Sequence, residues 1–141
     1  MGEKSKSMEI KVATDANYKY IIDRDRHIVE ALVENKIKQH EIFILWESNQ
    51  EIGWMRFGYF WDNTPFMNML WIDEVYRGQG YGKKVVLYWE DLMRKKGFTV
   101  VMTSTQSDEE AQHFYRKLGY KDAGCLMQEN APLELIFTKK I

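Results

Sequence analysis

Three glycines at alternate positions from Gly78 to Gly82 stand between an apolar segment and a long amphipathic one. The apolar segment, Leu70–Ile72, is typical of a buried strand, and Lys83–Lys96 has apolar residues at helical spacing. Because glycine adopts backbone conformations closed to other residues, successive N–H groups can point into one concavity. The unpaired amides of the first helical turn add positive charge there. The sequence thus predicts either a pyrophosphate site or only a tight strand-to-helix turn.

Two common phosphate-binding loops do not match this segment. A P-loop needs four residues between its glycines and then Lys-Ser/Thr, and this spacing is absent. The dinucleotide fingerprint needs a third glycine where Lys83 stands. A nucleotide-binding domain is therefore the weaker alternative. Lys83 and Lys84 oppose the helix dipole, so they indicate an anion in front of the helix.

The other periodicities predict an α/β chain in the order β, α, α, β, β, β, α, β, α, β, β. The helices come near Thr14–Ile22, Ile28–Ile37, Lys83–Lys96 and Ser107–Gly119, the last opened by a capping box. The strands come near Met8–Val12, Glu41–Trp46, Gln50–Trp61, Phe66–Asp73, Phe98–Thr103, Tyr120–Met127 and Leu133–Thr138. This mixture predicts a three-layer α/β domain with a mixed sheet.

Length and composition exclude several classes of protein. The 141 residues fit one domain, expected over residues 8–141 after a disordered polar tail at 1–7. A net charge of −1 argues against general nucleic-acid binding. The chain lacks the roughly 20-residue apolar run that spans a membrane. The single Cys125, expected to be a small core residue, excludes an intrachain disulfide, and a cytoplasmic location is expected.

Two segments resemble the GNAT N-acetyltransferases. Arg77-x-x-Gly80-x-Gly82, between a strand and a helix, is similar to the acyl-CoA signature of that family. Residues 108–120 are similar to its late helix, where an alanine is followed four residues on by Tyr115 and then by a Gly-aromatic pair. The element order agrees from Met8 to the C-terminus. The resemblance implies a GNAT-like fold with a mixed, mostly antiparallel central sheet flanked by helices.

The resemblance also implies acetyl-CoA as co-substrate, without a metal. Arg77 and the amides that follow it would hold the pyrophosphate of coenzyme A, namely those of Gly78, Gln79, Gly80, Tyr81, Gly82 and Lys83. The pantetheine arm would pair with the backbone of Leu70, Trp71 and Ile72, where this strand splays from Phe98–Thr103. An amide near Ile72 would polarise the thioester carbonyl. Asp108 stands where the family often has Asn, and an ionised Asp cannot donate a hydrogen bond to the cofactor.

The same resemblance assigns Tyr115 the role of general acid toward the leaving thiolate. Periodicity alone also allows a core aromatic there, since Ala111, Tyr115 and Leu118 form one apolar stripe. The family's usual base positions fall near Phe66 and Thr103, which cannot accept a proton. Four residues remain as candidates for the base: Glu74, which we take as the possible base, and Asp73, Glu129 and His40.

The acceptor would be a small-molecule or protein amine bound between the first two helices, the Gln50–Trp61 strand and the last hairpin. Glu129 and Glu134 could attract a cation there. Several aromatic and sulfur side chains crowd this region, most expected in the core and one or two in the pocket: Trp54, Tyr59, Trp61, Met69 and Trp71. The expected function is N-acetyl transfer by direct attack in a ternary complex. The alternative is a catalytically silent acyl-CoA-binding sensor or interaction module. No nucleic-acid or membrane partner is expected, and a homodimer is left open.

Overall fold

A computed structural model describes residues 7–141, so the expected disorder of the tail lies outside the described residues except at Ser7. The strands are β1 Glu9–Val12, β2 Ile42–Glu47, β3 Gln50–Phe60, β4 Thr64–Ile72, β5 Val100–Gln106, β6 Lys121–Leu126 and β7 Glu134–Lys140. The helices are α1 Tyr18–Arg24, α2 Glu30–Lys38, α3 Tyr81–Lys95 and α4 Ala111–Lys117. The predicted order of elements is confirmed.

The strands form one seven-stranded sheet in the order β1-β2-β3-β4-β5-β7-β6. β1 with β2, β2 with β3, β5 with β7 and β6 with β7 are antiparallel, whereas β4 runs parallel to β5. The β4–β5 pairs are Phe66 with Met102 and Met67 with Thr103. The prediction of a mixed, mostly antiparallel sheet flanked by helices is confirmed.

The chain divides into two compact units. The first unit holds residues up to Phe57 together with Met69–Val85, and the second holds Gly58–Asn68 with Val86–Ile141. In the first unit α1 and α2 bury apolar side chains against β2 and β3, among them Ile21, Val33, Ile42, Ile44 and Trp54. β3, β4 and α3 contribute residues to both units. No described helix is long and apolar enough to cross a membrane.

Glycines end two of the helices. Gly97 follows α3 with φ of +96° and Gly119 follows α4 with φ of +95°. In each case the next residue, Phe98 or Tyr120, donates its amide to a carbonyl five residues back. This is the hydrogen-bond pattern that closes a helix with a left-handed residue. Both predicted helix ends are confirmed.

The predicted start of α4 is wrong. The helix begins at Ala111, and its N-cap residue Glu110 makes no side-chain capping bond. The carboxylate of Glu109 accepts instead from the amide of Gln106 at 3.0 Å. The polar residues meant to open the helix therefore stabilise a turn before it. Side chains of this type compete with the helix for backbone groups.

Three apolar residues lie outside the core, among them Cys125, which was expected inside it. Cys125 is exposed because β6 is an edge strand whose six residues are all exposed. Trp61 is 80% exposed in the β3–β4 turn and Trp71 is 43% exposed near the end of β4. Trp54 is buried as expected. Period-two patterns do not show which strand forms the edge of a sheet.

Candidate active site

The glycine turn lies in the first unit between β4 and α3. Gly78 has φ of +78° and Gly80 has φ of +81°. A Cβ built on either residue would meet no atom within 4 Å. The turn therefore needs glycine at these positions for its backbone conformation and not for want of space. This left-handed backbone leads directly into Tyr81, the first residue of α3.

The amides of this turn are open to a ligand. The first inward bond of the helix is donated by Lys84 to the carbonyl of Gly80, at 3.1 Å. Within residues 7–141, the amides of Gly78, Gly80, Gly82 and Lys83 donate to no backbone oxygen. A diphosphate needs such a cluster of N–H donors at a positive helix end. The residues present therefore fit the pyrophosphate of coenzyme A.

The side chains of the turn differ in their burial and in their hydrogen-bond partners. Tyr81 is buried and donates its hydroxyl to the carboxylate of Glu47, a hydrogen bond that raises the pKa of this phenol. The side chain of Tyr81 is thus engaged within the protein. Lys84 donates to the carbonyl of Met8, so it is not directed at an anion as its position in the sequence suggested. Gln79 and Lys83 are exposed.

Arg77 braces the end of β4. Its Nε donates to the carbonyl of Ile72 at 2.7 Å, and its guanidinium lies 4.6 Å from the centre of the Trp71 ring. The indole Nε1 of Trp71 donates in turn to Asp73 at 3.1 Å. The amide of Asp73 donates to the carbonyl of Ile52. The strand end that is expected to face the pantetheine arm is thus fixed by side chains and backbone together.

Gly53 of β3 allows the two strands to approach closely at this point. A Cβ on Gly53 would lie 2.1 Å from the carbonyl oxygen of Trp71, a distance that no side chain tolerates.

The predicted base Glu74 is exposed on the short 3-10 turn Glu74–Tyr76. Asp108 is exposed in the second unit, in the turn after β5.

Tyr115 lies in the second unit at the pair of residues where β4 and β5 meet. It is 7% exposed, and its hydroxyl lies 3.8 Å from the sulfur of Met67. The hydroxyl of Thr103 donates to the carbonyl of Met67 at 3.0 Å. The Tyr115 ring meets Tyr120 edge-on with centroids 5.5 Å apart. Tyr115 is therefore a packed core aromatic, as its periodicity allows, and its hydroxyl points at the Met67–Thr103 pair.

Burial raises the pKa of Tyr115 to about 12, although a hydrogen bond with Thr103 opposes the change. The phenol consequently keeps its proton throughout the neutral range. It can act as a hydrogen-bond donor at any pH at which the protein is expected to work.

A cavity of about 290 Å³ lies in the second unit. Most of its lining is apolar, and these residues are Tyr59, Phe60, Phe66, Leu126 and Ile136. Its two polar lining residues, Asn68 and Ser104, directly follow Met67 and Thr103. Because side chains alternate along a strand, the cavity and Tyr115 face opposite sides of these strands. Of the five residues that the sequence suggested for a pocket, Tyr59 contributes to this cavity.

A buried ion pair in the first unit was not predicted. Asp25, directly after α1, accepts from Nε of Arg56 at 2.7 Å and from the indole of Trp54 at 3.0 Å. Burial raises the pKa of Asp25, but hydrogen bonds from Arg56, the amide of His27 and Trp54 outweigh it, and the net pKa lies below the usual 3.8. The sequence did contain a signal for this ion pair, namely an arginine inside an otherwise apolar strand. A buried guanidinium requires a carboxylate partner.

A second buried network lies in the second unit. Glu90 of α3 is 2% exposed and accepts from the hydroxyl of Tyr120 and from Lys139, each at 2.8 Å. Burial, followed by the charge of Glu90, raises the pKa of Tyr120. The sequence signal for this network was the carboxylate of Glu90 on the apolar stripe of α3. The described residues contain no group of three or more His, Cys, Asp or Glu that could hold a metal.

Comparison with known proteins assigns the family. The Acetyltransferase (GNAT) family matches residues 9–120 of this chain. A protein of Bacillus subtilis strain 168, the uncharacterized protein YyaT, is 29% identical over 104 residues, which are 74% of this chain and 68% of YyaT. The chain belongs to the GNAT acetyltransferase family, and its glycine turn lies within the matched residues.

Solved structures share the fold at low sequence identity. Ard1 from Thermoplasma volcanium superposes with a TM-score of 0.81 at 14% identity, over 95% of this chain and 97% of Ard1. The PaiA N-acetyltransferase from Thermoplasma acidophilum, solved with coenzyme A, superposes with a TM-score of 0.73 at 18% identity, over 96% of this chain and 99% of PaiA. Because the chain belongs to the GNAT acetyltransferase family, the protein is an acyltransferase that depends on acetyl-CoA.

Proposed function

We propose that this protein transfers the acetyl group of acetyl-CoA to a primary amine by direct attack within a ternary complex. The open amides of the glycine turn carry this proposal, because they offer a diphosphate several donors at the end of a strand. Acetyl-CoA supplies an activated acetyl group, so that a carbon–nitrogen bond forms as the carbon–sulfur bond breaks. The acceptor is a small-molecule amine or a protein amine.

In this proposal the first unit holds and polarises the thioester. Gly78, Gly80, Gly82 and Lys83 bind the pyrophosphate through their backbone, as do Gln79 and Tyr81, with Arg77 beside them. The backbone of Leu70, Trp71 and Ile72 aligns the pantetheine arm like an added strand. A backbone amide of this segment donates to the thioester oxygen, where negative charge develops during the reaction. The Asp73 amide is not available for this role because it already bonds Ile52.

Tyr115 donates its phenolic proton toward the leaving sulfur. Complete transfer from a phenol of pKa about 12 to a thiolate of pKa about 8.5 is uphill by roughly 5 kcal/mol. The transfer is therefore coupled to loss of a proton from the amine nitrogen, and water restores the proton of the phenol. An ionised Asp108 accepts a hydrogen bond from a cofactor amide and donates none. No covalent enzyme intermediate is required.

Deprotonation of the acceptor is assigned to Glu74 acting through water. A primary amine with a pKa near 10 is about one part in a thousand neutral at pH 7, so a base accelerates the reaction. Glu74 is exposed at the end of β4, where solvent can relay a proton. A second carboxylate, that of Asp73, stands next to Glu74 in the sequence. It already accepts a hydrogen bond from the indole of Trp71.

Calorimetry with coenzyme A and thiol-release assays on a panel of primary amines test this function. We expect coenzyme A binding, amine-dependent thiol release and an acetylated product by mass spectrometry. Glu74→Gln should lower kcat/KM by about tenfold or more at neutral pH, with the loss shrinking as the pH approaches the pKa of the amine. Asp73→Asn is the matched control.

Each outcome separates one part of the proposal. Absence of coenzyme A binding would refute the whole assignment. Binding without thiol release from any amine would identify the silent acyl-CoA module instead. An unchanged pH profile in Glu74→Gln would remove Glu74 as the base and leave the transfer reaction standing.

A further inference from the structure

The cavity of the second unit adjoins the last residue pair of β4 and β5. Met67 and Thr103 are the last β4–β5 pair, and the hydroxyl of Tyr115 points at this pair from one face of the sheet. Asn68 and Ser104, the next residues, line the cavity on the opposite face. β7 shows the same alternation, since Phe137 contacts Tyr115 and Ile136 lines the cavity.

The strands stop pairing at the floor of the cavity. β4 and β5 continue beyond Met67 and Thr103, but the two strands stop pairing there. Asn68 and Ser104 thus bring polar side chains to the point where the backbone ladder ends. The side-chain amide oxygen of Asn68 and the hydroxyl of Ser104 can each accept a hydrogen bond from an amine N–H. An amine held at the floor is separated from Tyr115 by the thickness of the sheet.

The walls of the cavity are suited to an apolar group. Two aromatic rings, Phe60 and Phe66, stack with centroids 6.1 Å apart on one side. Leu126 and Ile136 complete the wall from β6 and β7. A closed cavity of about 150 Å³ accommodates benzene. The 290 Å³ observed here therefore has room for an aryl ring with a short alkyl chain.

Charge selects against polycationic acceptors. None of the seven residues lining the cavity is charged. A second ammonium group placed among these side chains would gain no carboxylate partner. The acidic residues that the sequence suggested as a cation attractant, Glu129 and Glu134, do not line the cavity.

We propose that the acceptor is a primary amine carrying one apolar or aromatic group, which this cavity holds while Asn68 and Ser104 orient the nitrogen. The inference rests on the proposed acetyl transfer and adds the chemical class of the acceptor. Such an amine occurs as a free arylalkylamine or as a protein N-terminus whose first side chain is apolar. Both present the same chemistry to the cavity.

A panel of amines provides the first test. We expect kcat/KM for 2-phenylethylamine to exceed that for ethylamine by about tenfold or more, because binding of the phenyl group in an apolar pocket stabilises the transition state. Spermidine should be a poorer acceptor than 2-phenylethylamine. Peptides beginning with phenylalanine or with aspartate form a second arm, which distinguishes a protein N-terminus from a free amine as the source.

Leu126→Trp narrows the cavity at a half-exposed position, so the fold should tolerate it. We expect it to lower kcat/KM for 2-phenylethylamine by about tenfold and to leave ethylamine nearly unchanged. Met127→Trp is the matched control, since Met127 is 86% exposed and does not line the cavity. Binding of N-acetyl-2-phenylethylamine, followed by ligand-observed NMR, should weaken in Leu126→Trp alone.

The outcomes separate this inference from the proposed function. Turnover of spermidine in preference to 2-phenylethylamine would overturn the inference and leave acetyl transfer intact. Equal effects of Leu126→Trp and Met127→Trp would likewise overturn it. Absence of thiol release with every amine, despite coenzyme A binding, would overturn both.

Discussion

The glycine turn of the first unit and the Tyr115 region of the second unit present hydrogen-bond donors in opposite ways. The turn offers backbone amides, and its two left-handed glycines have no atom within 4 Å of where a Cβ would stand. Tyr115 offers a side-chain hydroxyl held by packed aromatic rings. A backbone site depends on dihedral angles, and a side-chain site depends on its neighbours. The two regions should therefore fail in different measurements when they are mutated.

The largest expected effect comes from Tyr115→Phe. The ring keeps its packing and the donor is lost, so turnover should fall by about 10²–10⁴-fold while coenzyme A affinity and melting temperature change little. Steady-state kinetics and calorimetry check this. Tyr18→Phe is the matched control, because its hydroxyl bonds Glu30 on the surface. Turnover equal to wild type would show that Tyr115 is only a core aromatic.

Arg56→Met tests whether a side-chain network in the first unit serves stability. Asp25 has a side chain that is 0% exposed, and losing its partner should cost about 3–5 kcal/mol in the free energy of unfolding. Lys11→Met, which breaks an exposed pair with Glu9, should cost no more than about 1 kcal/mol. Urea unfolding at neutral pH measures both.

The pH dependence of the same variant follows from the sign of the shift. The pKa of Asp25 is lowered in the fold, so its stabilising effect is present above the usual 3.8 and is lost as the pH falls through the folded value. The difference between wild type and Arg56→Met should shrink in acid. A difference that stays constant down to strong acid would show that the lost stability is not electrostatic.

The smallest expected effect comes from Gly80→Ala. An L-residue in this left-handed conformation costs about 1–2 kcal/mol, which corresponds to roughly 5–30-fold weaker coenzyme A binding if the turn distorts to relieve it. Gly97→Ala is the matched control, since Gly97 has the same backbone conformation and open space but ends α3. Equal affinities for both variants would mean that the amides of the turn do not bind the cofactor.

Local patterns sufficed for most of the fold. The eleven elements follow the predicted order because alternation and helical spacing reflect which face of each segment is buried. The ends of α3 and α4 were predictable because Gly97 and Gly119 act on the carbonyls of their own helices. The start of α4 was not, since Glu109 bonds the amide of Gln106 and competes with the helix.

The candidate site likewise has features that a local sequence pattern encodes and features that only packing creates. The glycine turn was visible in the sequence because its proposed function resides in consecutive amides. The partner of Arg56 was not visible, since Asp25 lies 31 residues away and only packing brings the two together. The exposure of Cys125 depends on β6 being an edge strand, which no local pattern records.

The sequence by itself determined the family, the order of elements and the place of the turn, because each rests on short-range spacing that a few consecutive residues encode. Only the tertiary structure decided what surrounds the phenol of Tyr115 and which side chains enclose the cavity behind Asn68 and Ser104. Those neighbours come from separate strands, and the burial that raises a pKa or empties a pocket of charge arises only when distant segments pack together.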